Sequence, residues 1–411
     1  MDFQKLDAYM QSLETAFGVP SCEIAVTQGK ETVFSKTYGY SDAMRKQPAA
    51  KTDLYRLLSM TKLVTVIAVL QQIEQNKLCL ESLVEEYLPD YKEMKVADCF
   101  DRYQVPVQWP TMDTPFHPAR TPIRVVDLLT MTAGMTYDLS SAPVAFMRSV
   151  HWEDGTTQEV VAQLAKLPLV YEPGERWVYS LAHDVLGAIV EILSGQKLGD
   201  YMTTHIFEPL GIEPLYFHLD STLQSRVAAL YQQPRMTHDI IPDDGKVSDS
   251  FKVTRNYESG GAGLIGTVSS YSAIVQALAC GGLGKNRILR EETVALLSKP
   301  YTKGIQQKDF SGTGKNGYAY GYGVRVLTDA STSRSPLGEF GWDGAAGAFI
   351  ITCGAPDTAF TETMLAALRG FTCCIPNAKE GGIVLGVGVM EAGDIRSSAA
   401  MEEAYQLGRS V

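Results

Sequence analysis

The sequence predicts an α/β (α+β) fold in which an antiparallel sheet, flanked by helices, carries an inserted and mostly helical lobe. Two apolar-rich runs near the N-terminus, 22–28 and 31–38, are joined at Gly29 in the pattern of a β-hairpin. The middle of the chain has helical periodicity, and short apolar runs separated by turn residues follow Tyr318. Because strands lie at both chain ends, we expect the hairpin to complete the C-terminal sheet.

Each remaining element follows from its own local pattern. Between Lys77 and Pro122, repeated prolines exclude long regular elements. Apolar periodicity predicts an N-terminal helix around 6–17, a helix that begins at Ser59, and helices over 125–130, 157–166, 182–193, 201–207, 270–279 and 399–407. Further strands are predicted over 321–327, 348–353, 370–375 and 382–389. We therefore expect residues 1–75 and 256–411 to form the sheet-containing lobe and residues 76–255 to form the helical lobe.

Composition and charge limit the classes of function. The 411 residues are 45% hydrophobic and 20% charged, which is enough to bury a large core. The formal net charge is -11 and no dense run of Lys and Arg occurs, which argues against nucleic-acid and anionic-membrane partners. The N-terminus reads as an amphipathic helix and no apolar run approaches the roughly 18 residues of a membrane span. We expect a cytoplasmic protein that acts on a neutral or cationic small molecule, with its oligomeric state left open.

Neither a metal nor another cofactor is expected. The seven cysteines are scattered without a C-x-x-C pair and read as reduced thiols, and the six histidines show no H-E-x-x-H. Residues 261–266 match the dinucleotide pattern G-x-G-x-x-G, but no convincing strand precedes them and no βαβ unit surrounds them. We interpret this stretch as a tight glycine-rich turn.

The motif Ser59-Met60-Thr61-Lys62 is the strongest candidate for chemistry. It places a hydroxyl and an amine one helical turn apart at the start of a helix, where they can share a proton and where backbone N–H groups can meet developing negative charge. Taken alone, these four residues favour the simpler interpretation, in which Ser59 caps the helix beside a solvated lysine, because S-x-x-K is a short motif. A second S-x-x-K, Ser194 to Lys197, lies at a helix C-terminus before Gly195 and is interpreted as a structural stop.

Four motifs in order carry a family resemblance. The S-x-x-K motif is followed by Leu128 to Met135 (LLTMTAGM), Pro173 to Ser180 (PGERWVYS) and Pro209 to Ile212 (PLGI). This chain resembles the serine β-lactamase-related superfamily, which includes class C β-lactamases, DD-peptidases, family VIII carboxylesterases and a fungal statin acyltransferase. The resemblance covers nearly the whole chain. It implies a β-lactamase/transpeptidase-like fold with the active site between the two lobes.

The resemblance also implies roles for individual residues. Ser59 would be the nucleophile, Lys62 its partner in proton transfer, and Tyr179 the residue that helps deprotonate Ser59 and later protonates the leaving group. The third motif would be Trp342-Asp343-Gly344, which binds substrate from an edge strand beside the serine. The backbone N–H groups of Ser59 and Ala345 would form the oxyanion hole. Asp184, at a spacing common in relatives, is expected to cap the helix or to orient its neighbours, and it is left outside the catalytic set.

Departures from the family pattern narrow the expected substrate. The Y-x-N or S-D-N element is absent, with Leu181 at the asparagine position, and K-T-G occurs nowhere in the chain. Trp342 replaces the third-motif lysine and offers apolar surface and one N–H donor without charge. W-x-G is similar to the motif of family VIII esterases, and no G-x-S-x-G nucleophile elbow occurs.

These features predict a serine carboxylesterase or acyltransferase that cleaves neutral short acyl or aryl esters through a Ser59 acyl-enzyme. One alternative is a D-amino-acid peptidase or amidase, or a weak β-lactamase. A non-catalytic binding protein on the same fold is the alternative of a different class.

Overall fold

The computed structural model describes residues 3–232, 240–245, 247–282, 286–333, 335–344 and 347–351. The helices are α1 (Gln4–Phe17), α2 (Thr61–Glu74), α3 (Val125–Leu129), α4 (Ala142–Val150), α5 (Thr157–Leu164), α6 (Ala182–Ser194), α7 (Leu198–Met202), α8 (Glu208–Leu210), α9 (Ser221–Gln224), α10 (Val268–Ala279), α11 (Glu291–Leu297) and α12 (Gly304–Ser311). Within the described part of the chain, none of them combines the length and the apolar character that crossing a membrane requires.

The strands pair in antiparallel fashion. They are β1 (Ser21–Gln28), β2 (Glu31–Asp42), β3 (Gln47–Pro48), β4 (Tyr55–Arg56), β5 (Lys95–Ala97), β6 (Phe116–Pro118), β7 (Tyr231–Gln232), β8 (Ile241–Pro242), β9 (Ile265–Gly266), β10 (Tyr318–Tyr320), β11 (Arg325–Leu327), β12 (Phe340–Gly344) and β13 (Gly347–Ile351). The predicted hairpin is β1 and β2, extended by β3, and a second sheet has the order β10-β11-β12-β13. Helix α10 contacts both β1 and β13. The predicted α+β architecture is therefore confirmed.

Three predicted elements cannot be compared with the structure. The predicted strands at 370–375 and 382–389 and the helix at 399–407 lie outside the described residues. In the described part, the hairpin and the β10–β13 sheet are separate, so its completion of that sheet stays a prediction. One cluster of buried apolar side chains runs from Leu57 to Trp342, and the division into two lobes also stays a prediction.

Most sequence-predicted helices of the middle section are present. The patterns at 125–130, 157–166, 182–193 and 270–279 correspond to α3, α5, α6 and α10 with shifts of at most two residues. The predicted helix at 201–207 starts earlier, as α7 at Leu198, and continues through a π-helical turn at Thr203–Phe207 into α8. Helices α4, α9, α11 and α12 were not predicted from the sequence. Helix α12 has few apolar side chains and begins at the left-handed Gly304, so its periodicity is weak.

Helix α2 is the buried centre of the main core. Every residue from Thr61 to Gln72 is buried, and the helix contacts α6 and α7. A helix that is apolar on all faces must be covered on all faces, which is what its sequence from Leu63 to Leu70 indicates. Helix α1 packs separately on the hairpin through Leu6, Met10, Leu13 and Val26. The first turn of α2 is therefore held in position by protein on every side.

Candidate active site

The turn that leads into α2 has an unusual backbone. Leu58 has a φ of 48°, in the left-handed region, which costs a non-glycine residue about 1–2 kcal/mol. The cost is offset by tertiary contacts, because Leu58 is only 6% exposed and the N–H of Leu57 donates to the carbonyl of Leu264 at 2.9 Å. Ser59 follows in a 3-10 turn at Leu58–Met60. Its position is therefore set by packing against distant chain segments.

Three of the sequence-predicted residues meet at the Ser59 hydroxyl. Lys62 Nζ donates to Ser59 Oγ at 3.2 Å, and the Tyr179 hydroxyl donates to the same oxygen at 2.7 Å. Lys62 is fully buried and Ser59 is half-buried. A hydroxyl that is reached by an amine and a phenol has two partners for proton transfer, which is the geometry that nucleophilic catalysis requires.

The glycine-rich turn around Gly261 holds the amine of Lys62. Lys62 Nζ also donates to the carbonyl of Gly261 at 2.7 Å and lies 4.7 Å from the centroid of the Tyr179 ring. A Cβ on Gly261 would come within 2.5 Å of Asp184 Oδ2, and one on Gly260 would come within 2.5 Å of the His183 carbonyl. The glycines are therefore required by close packing on the start of α6. This confirms the interpretation of the G-x-G-x-x-G stretch as a tight turn.

Asp184 supports this turn through hydrogen bonds to the segment that precedes it. Its Oδ1 accepts hydrogen bonds from the Tyr257 hydroxyl at 2.5 Å and from Ser259 Oγ at 2.6 Å. Burial raises the pKa of Asp184, although Ser259, Tyr257 and the charge of Lys62 oppose this shift. The neighbouring His183 is fully buried, and burial together with Lys62 holds its pKa well below the usual value. Asp184 thus orients the segment that carries the Gly261 carbonyl, which is one of the roles expected from the sequence.

Tyr179 is held between two aromatic rings. The Tyr137 ring stacks on it at 5.2 Å between centroids, and the Trp342 ring lies 5.7 Å away. Trp342 Nε1 donates to the Tyr179 hydroxyl at 3.3 Å. The predicted Tyr179 and Trp342 are therefore brought together, and the indole supplies a neutral donor to the phenolic oxygen.

Tyr137 is a site residue that the sequence analysis missed. Burial raises its pKa well above the usual value, so the phenol stays protonated, and its hydroxyl interacts with that of Ser59. On its other side, the Phe251 ring packs edge-on at 6.2 Å. The only sequence signal for Tyr137 is its place two residues after the LLTMTAGM motif. Phe251 lies at the end of a polar stretch and gives no signal.

Strand β12 carries the third motif beside the Ser59 turn. It packs against residues 58–60, but it is not an edge strand as predicted, because it lies between β11 and β13. The pairing with β11 reaches only Phe340 and Gly341, whereas Trp342 to Gly344 pair with β13 alone. The motif itself thus extends past the end of β11, which leaves one side of this short stretch open toward the serine. Ala345, the second predicted oxyanion donor, lies outside the described residues.

The side chain of Asp343 has structural partners. It forms ion pairs with Lys315 and, at 2.7 Å, with Arg325. Burial would raise the pKa of Asp343, but Arg325 and Lys315 outweigh burial and hold this pKa below its usual range. Substrate contact through Asp343 and Gly344 stays a prediction.

Comparison with known proteins decides the family. A family model described as Beta-lactamase matches residues 6–364. The chain belongs to the beta-lactamase family. The predicted resemblance and the β-lactamase/transpeptidase-like fold are thereby confirmed.

Several known proteins are similar to this chain over most of its length. Protein Rv1367c of Mycobacterium tuberculosis is 32% identical over 325 residues, which cover 75% of this chain and 76% of that protein. Esterase EstB of Burkholderia gladioli is 28% identical over 365 residues, 84% of this chain and 85% of that protein. The solved structure of EstCE1, a hydrolase with promiscuous acyltransferase activity, aligns with a TM-score of 0.70 at 23% identity and covers 89% of this chain and 97% of that chain.

The positions that depart from the beta-lactamase family pattern are apolar here. Leu181, at the asparagine position, is buried, and its N–H donates to the carbonyl of Thr136. Trp342, at the lysine position, is 5% exposed. Among the residues that the structure describes, no group of three or more His, Cys, Asp or Glu side chains could hold a metal ion.

Proposed function

We propose that this chain is a serine ester hydrolase or acyltransferase that acts through a Ser59 acyl-enzyme. The observation that carries the proposal is the Ser59 hydroxyl, which accepts hydrogen bonds from both Tyr179 and Lys62. Similarity to an esterase over 84% of the chain supports the same reaction class.

The geometry supports a two-step mechanism. Ser59 Oγ attacks the ester carbonyl while its proton passes to whichever partner is deprotonated, Tyr179 as phenolate or Lys62 as neutral amine, and reaches Tyr179 before the leaving group departs. We expect the backbone N–H groups of Ser59 and Ala345 to stabilise the negative charge on the carbonyl oxygen. Tyr179 then donates a proton to the leaving alcohol, and the acyl-enzyme forms. Water or a second alcohol attacks the acyl-enzyme in the same way and releases Ser59.

The substrate class follows from the groups around Ser59. Tyr179 contacts the Ser59 hydroxyl, the rings of Tyr137 and Trp342 lie on either side of Tyr179, and Trp342 provides no positive charge for a substrate carboxylate. The nearby cation Lys315 is paired with Asp343. A neutral short acyl or aryl ester fits this environment better than a β-lactam or a D-alanyl peptide, both of which carry a carboxylate.

A cytoplasmic location and a small-molecule partner complete the proposal. The four cysteines among the described residues, Cys22, Cys79, Cys99 and Cys280, are all free thiols, which is typical of a reducing compartment. Fractionation of cells that produce the protein tests the location. Recovery in an oxidising compartment would contradict it.

Parallel assays test the reaction class. We expect turnover of a short-chain p-nitrophenyl ester, little turnover of a chromogenic cephalosporin and none of a D-alanyl peptide. Turnover of the peptide with inert esters would overturn the ester assignment. An active-site fluorophosphonate should label the wild type, and a wild type that is not labelled would support a non-catalytic binding protein. Addition of a short alcohol to the ester assay separates hydrolysis from acyl transfer through the new ester that forms.

A further inference from the structure

An ion cluster around a buried carboxylate contacts residues 176–177, just before Tyr179. At its centre is Asp309 of α12, whose side chain is 1% exposed. The Asp309 carboxylate accepts hydrogen bonds from Arg176 Nε and Nη2, both at 2.7 Å, and pairs with Arg102 Nη1 at 3.1 Å. A carboxylate buried between two guanidinium groups is stable only while both partners are in place.

This cluster fixes both backbone polar groups of Trp177. The N–H of Trp177 donates to Asp309 Oδ2 at 3.3 Å, and the Trp177 carbonyl accepts from Arg102 Nη1 at 2.9 Å. The Trp177 ring packs edge-on against Phe310, the residue after Asp309, at 5.1 Å. The peptide two residues before Tyr179 is thus attached to α12 by charge, hydrogen bonds and packing.

We propose that Asp309 is a positioning residue for proton transfer by Tyr179. The 2.7 Å contact between the Tyr179 hydroxyl and Ser59 Oγ depends on where the backbone of residues 176–179 lies. Reaction rates respond steeply to such placement, since a displacement of about 1 Å can cost about 10²-fold. Neutralising Asp309 leaves two partly buried cations without their shared partner, and the segment shifts away from α12. This inference rests on the proposed function, because it assigns a support for the proton donor of that reaction.

Two esters of the same acid distinguish positioning from a general structural role. The p-nitrophenolate group leaves without a proton, whereas the ethoxide group must be protonated as it leaves. The ratio kcat/KM reports the steps up to formation of the acyl-enzyme, so it is insensitive to deacylation. A smaller fraction of folded protein lowers kcat/KM equally for both esters, but a misplaced Tyr179 lowers it more for the ethyl ester.

We expect Asp309→Asn to lower kcat/KM about 10²-fold for the ethyl ester and about 10-fold or less for the p-nitrophenyl ester. Arg102→Lys keeps the positive charge but cannot bond both Asp309 and the Trp177 carbonyl in the same way, so a smaller difference of the same sign is expected. Arg102→Lys provides the test if Asp309→Asn does not fold.

Two controls separate failure of this inference from failure of the proposed function. Tyr179→Phe removes the proton donor and should show the largest difference between the esters. Glu213→Gln disrupts a bidentate ion pair with Arg226, at 2.6 and 3.1 Å. This pair does not contact residues 174–179, so the variant should leave the kcat/KM of one ester relative to the other unchanged. If Tyr179→Phe shows the difference and both cluster variants lower the two rates equally, the inference is overturned and the proposed function stands. If Tyr179→Phe also lowers both rates equally, Tyr179 does not protonate the leaving group, and the inference fails with that role.

Discussion

The chain contains two S-x-x-K sequences whose surroundings differ in every respect that matters for chemistry. Ser59 and Lys62 lie at the start of α2, where the amine is fully buried and bonded to the hydroxyl at 3.2 Å. Ser194 and Lys197 lie at the end of α6, where Ser194 Oγ donates to the carbonyl of Val190 at 2.7 Å and Lys197 is exposed. Gly195, with a φ of 69°, ends that helix as predicted.

The difference lies in what the rest of the chain supplies. The first motif receives Tyr179 and the Gly261 carbonyl from segments more than a hundred residues away. At the second motif, the serine hydroxyl is used by its own helix as a donor to a backbone carbonyl. A short motif therefore carries chemistry only where tertiary structure desolvates it and brings the remaining proton-transfer groups.

Removal of the two serine hydroxyls should give the largest contrast. Ser59→Ala is expected to lower ester turnover on the order of 10⁵- to 10⁶-fold and to abolish fluorophosphonate labelling, because the attacking hydroxyl is removed. Ser194→Ala loses local hydrogen bonds to the Val190 and Glu191 carbonyls and from the Gln196 N–H, and it should retain wild-type turnover. Steady-state kinetics with a p-nitrophenyl ester and labelling of both variants measure this. Labelling of Ser59→Ala at the wild-type rate would place the nucleophile elsewhere.

The two lysines provide the next largest contrast. Lys62→Met keeps most of the side-chain volume but removes the amine, and it should lower kcat about 10²- to 10⁴-fold. Lys197→Met changes an exposed side chain and should leave kcat unchanged. A thermal unfolding curve of each variant verifies that it is folded at the assay temperature. A near-wild-type kcat in folded Lys62→Met would remove the amine from the mechanism.

Glu258 lies between the surroundings of the two S-x-x-K motifs, and its environment leads us to expect that stability depends on pH. It precedes Ser259, and its Oε2 accepts from the Gly199 N–H, just beyond Lys197, at 2.7 Å. Burial raises the pKa of Glu258 from 4.5 to about 7; Glu191 and Asp200 also raise this pKa, while Gly199 and Lys197 oppose the shift.

The folded state therefore binds more protons than the unfolded state between about pH 4.5 and 7. Preferential protonation of Glu258 in the folded state adds about 3 kcal/mol to the free energy of unfolding. This stabilisation is fully present below pH 4.5 and is lost as the pH rises through about 7. Glu258→Gln removes the titrating group, so the difference between wild type and variant in urea unfolding should change between pH 5 and pH 8. A difference that does not depend on pH would show that Glu258 does not titrate in this range.

Alanine substitution of the glycines beside the two S-x-x-K motifs should give the smallest difference in kcat between the motifs. Gly261→Ala places a methyl group within 2.5 Å of Asp184 Oδ2 and should displace the carbonyl that binds Lys62. We expect a loss of about 1–3 kcal/mol in stability and about a 10-fold fall in kcat. Gly195→Ala meets no atom within 4 Å and should cost about 1 kcal/mol, from its left-handed φ, with kcat unchanged. Equal kcat values in the two variants would show that the Gly261 carbonyl does not position Lys62.

Sequence reasoning succeeded where the signal is local or lies in a family motif. Ser59 and Lys62 are one helical turn apart, so their contact follows from helix geometry. Tyr179 was placed by its PGERWVYS context, and the structure brings its hydroxyl to Ser59. The antiparallel hairpin and the C-terminal glycine of α6 were also predictable, because each depends on the residues of one short segment.

The features that were missed depend on contacts between distant segments. Nothing in the sequence around Leu58 indicates a left-handed backbone, because burial against the 264 region stabilises it. Tyr137 and Asp309 lie outside the recognised motifs, and their contacts with Tyr179 and with residues 176–177 appear only when distant segments are assembled. The position of β12 within its sheet could not be predicted either, because strand order depends on pairing and not on the pattern of one strand.

Complete burial of α2 has a consequence for how this protein can be altered. Lys62 belongs to a helix that has no exposed face from Thr61 to Gln72, so almost any change there disturbs the core. The rings beside Tyr179 come instead from separate segments, at Tyr137 and Trp342, and Phe251 packs on Tyr137. Phe251 has no hydrogen-bonding side chain, so we expect changes at this position to alter substrate preference, in natural relatives or in designed libraries, with the least effect on the proton-transfer groups.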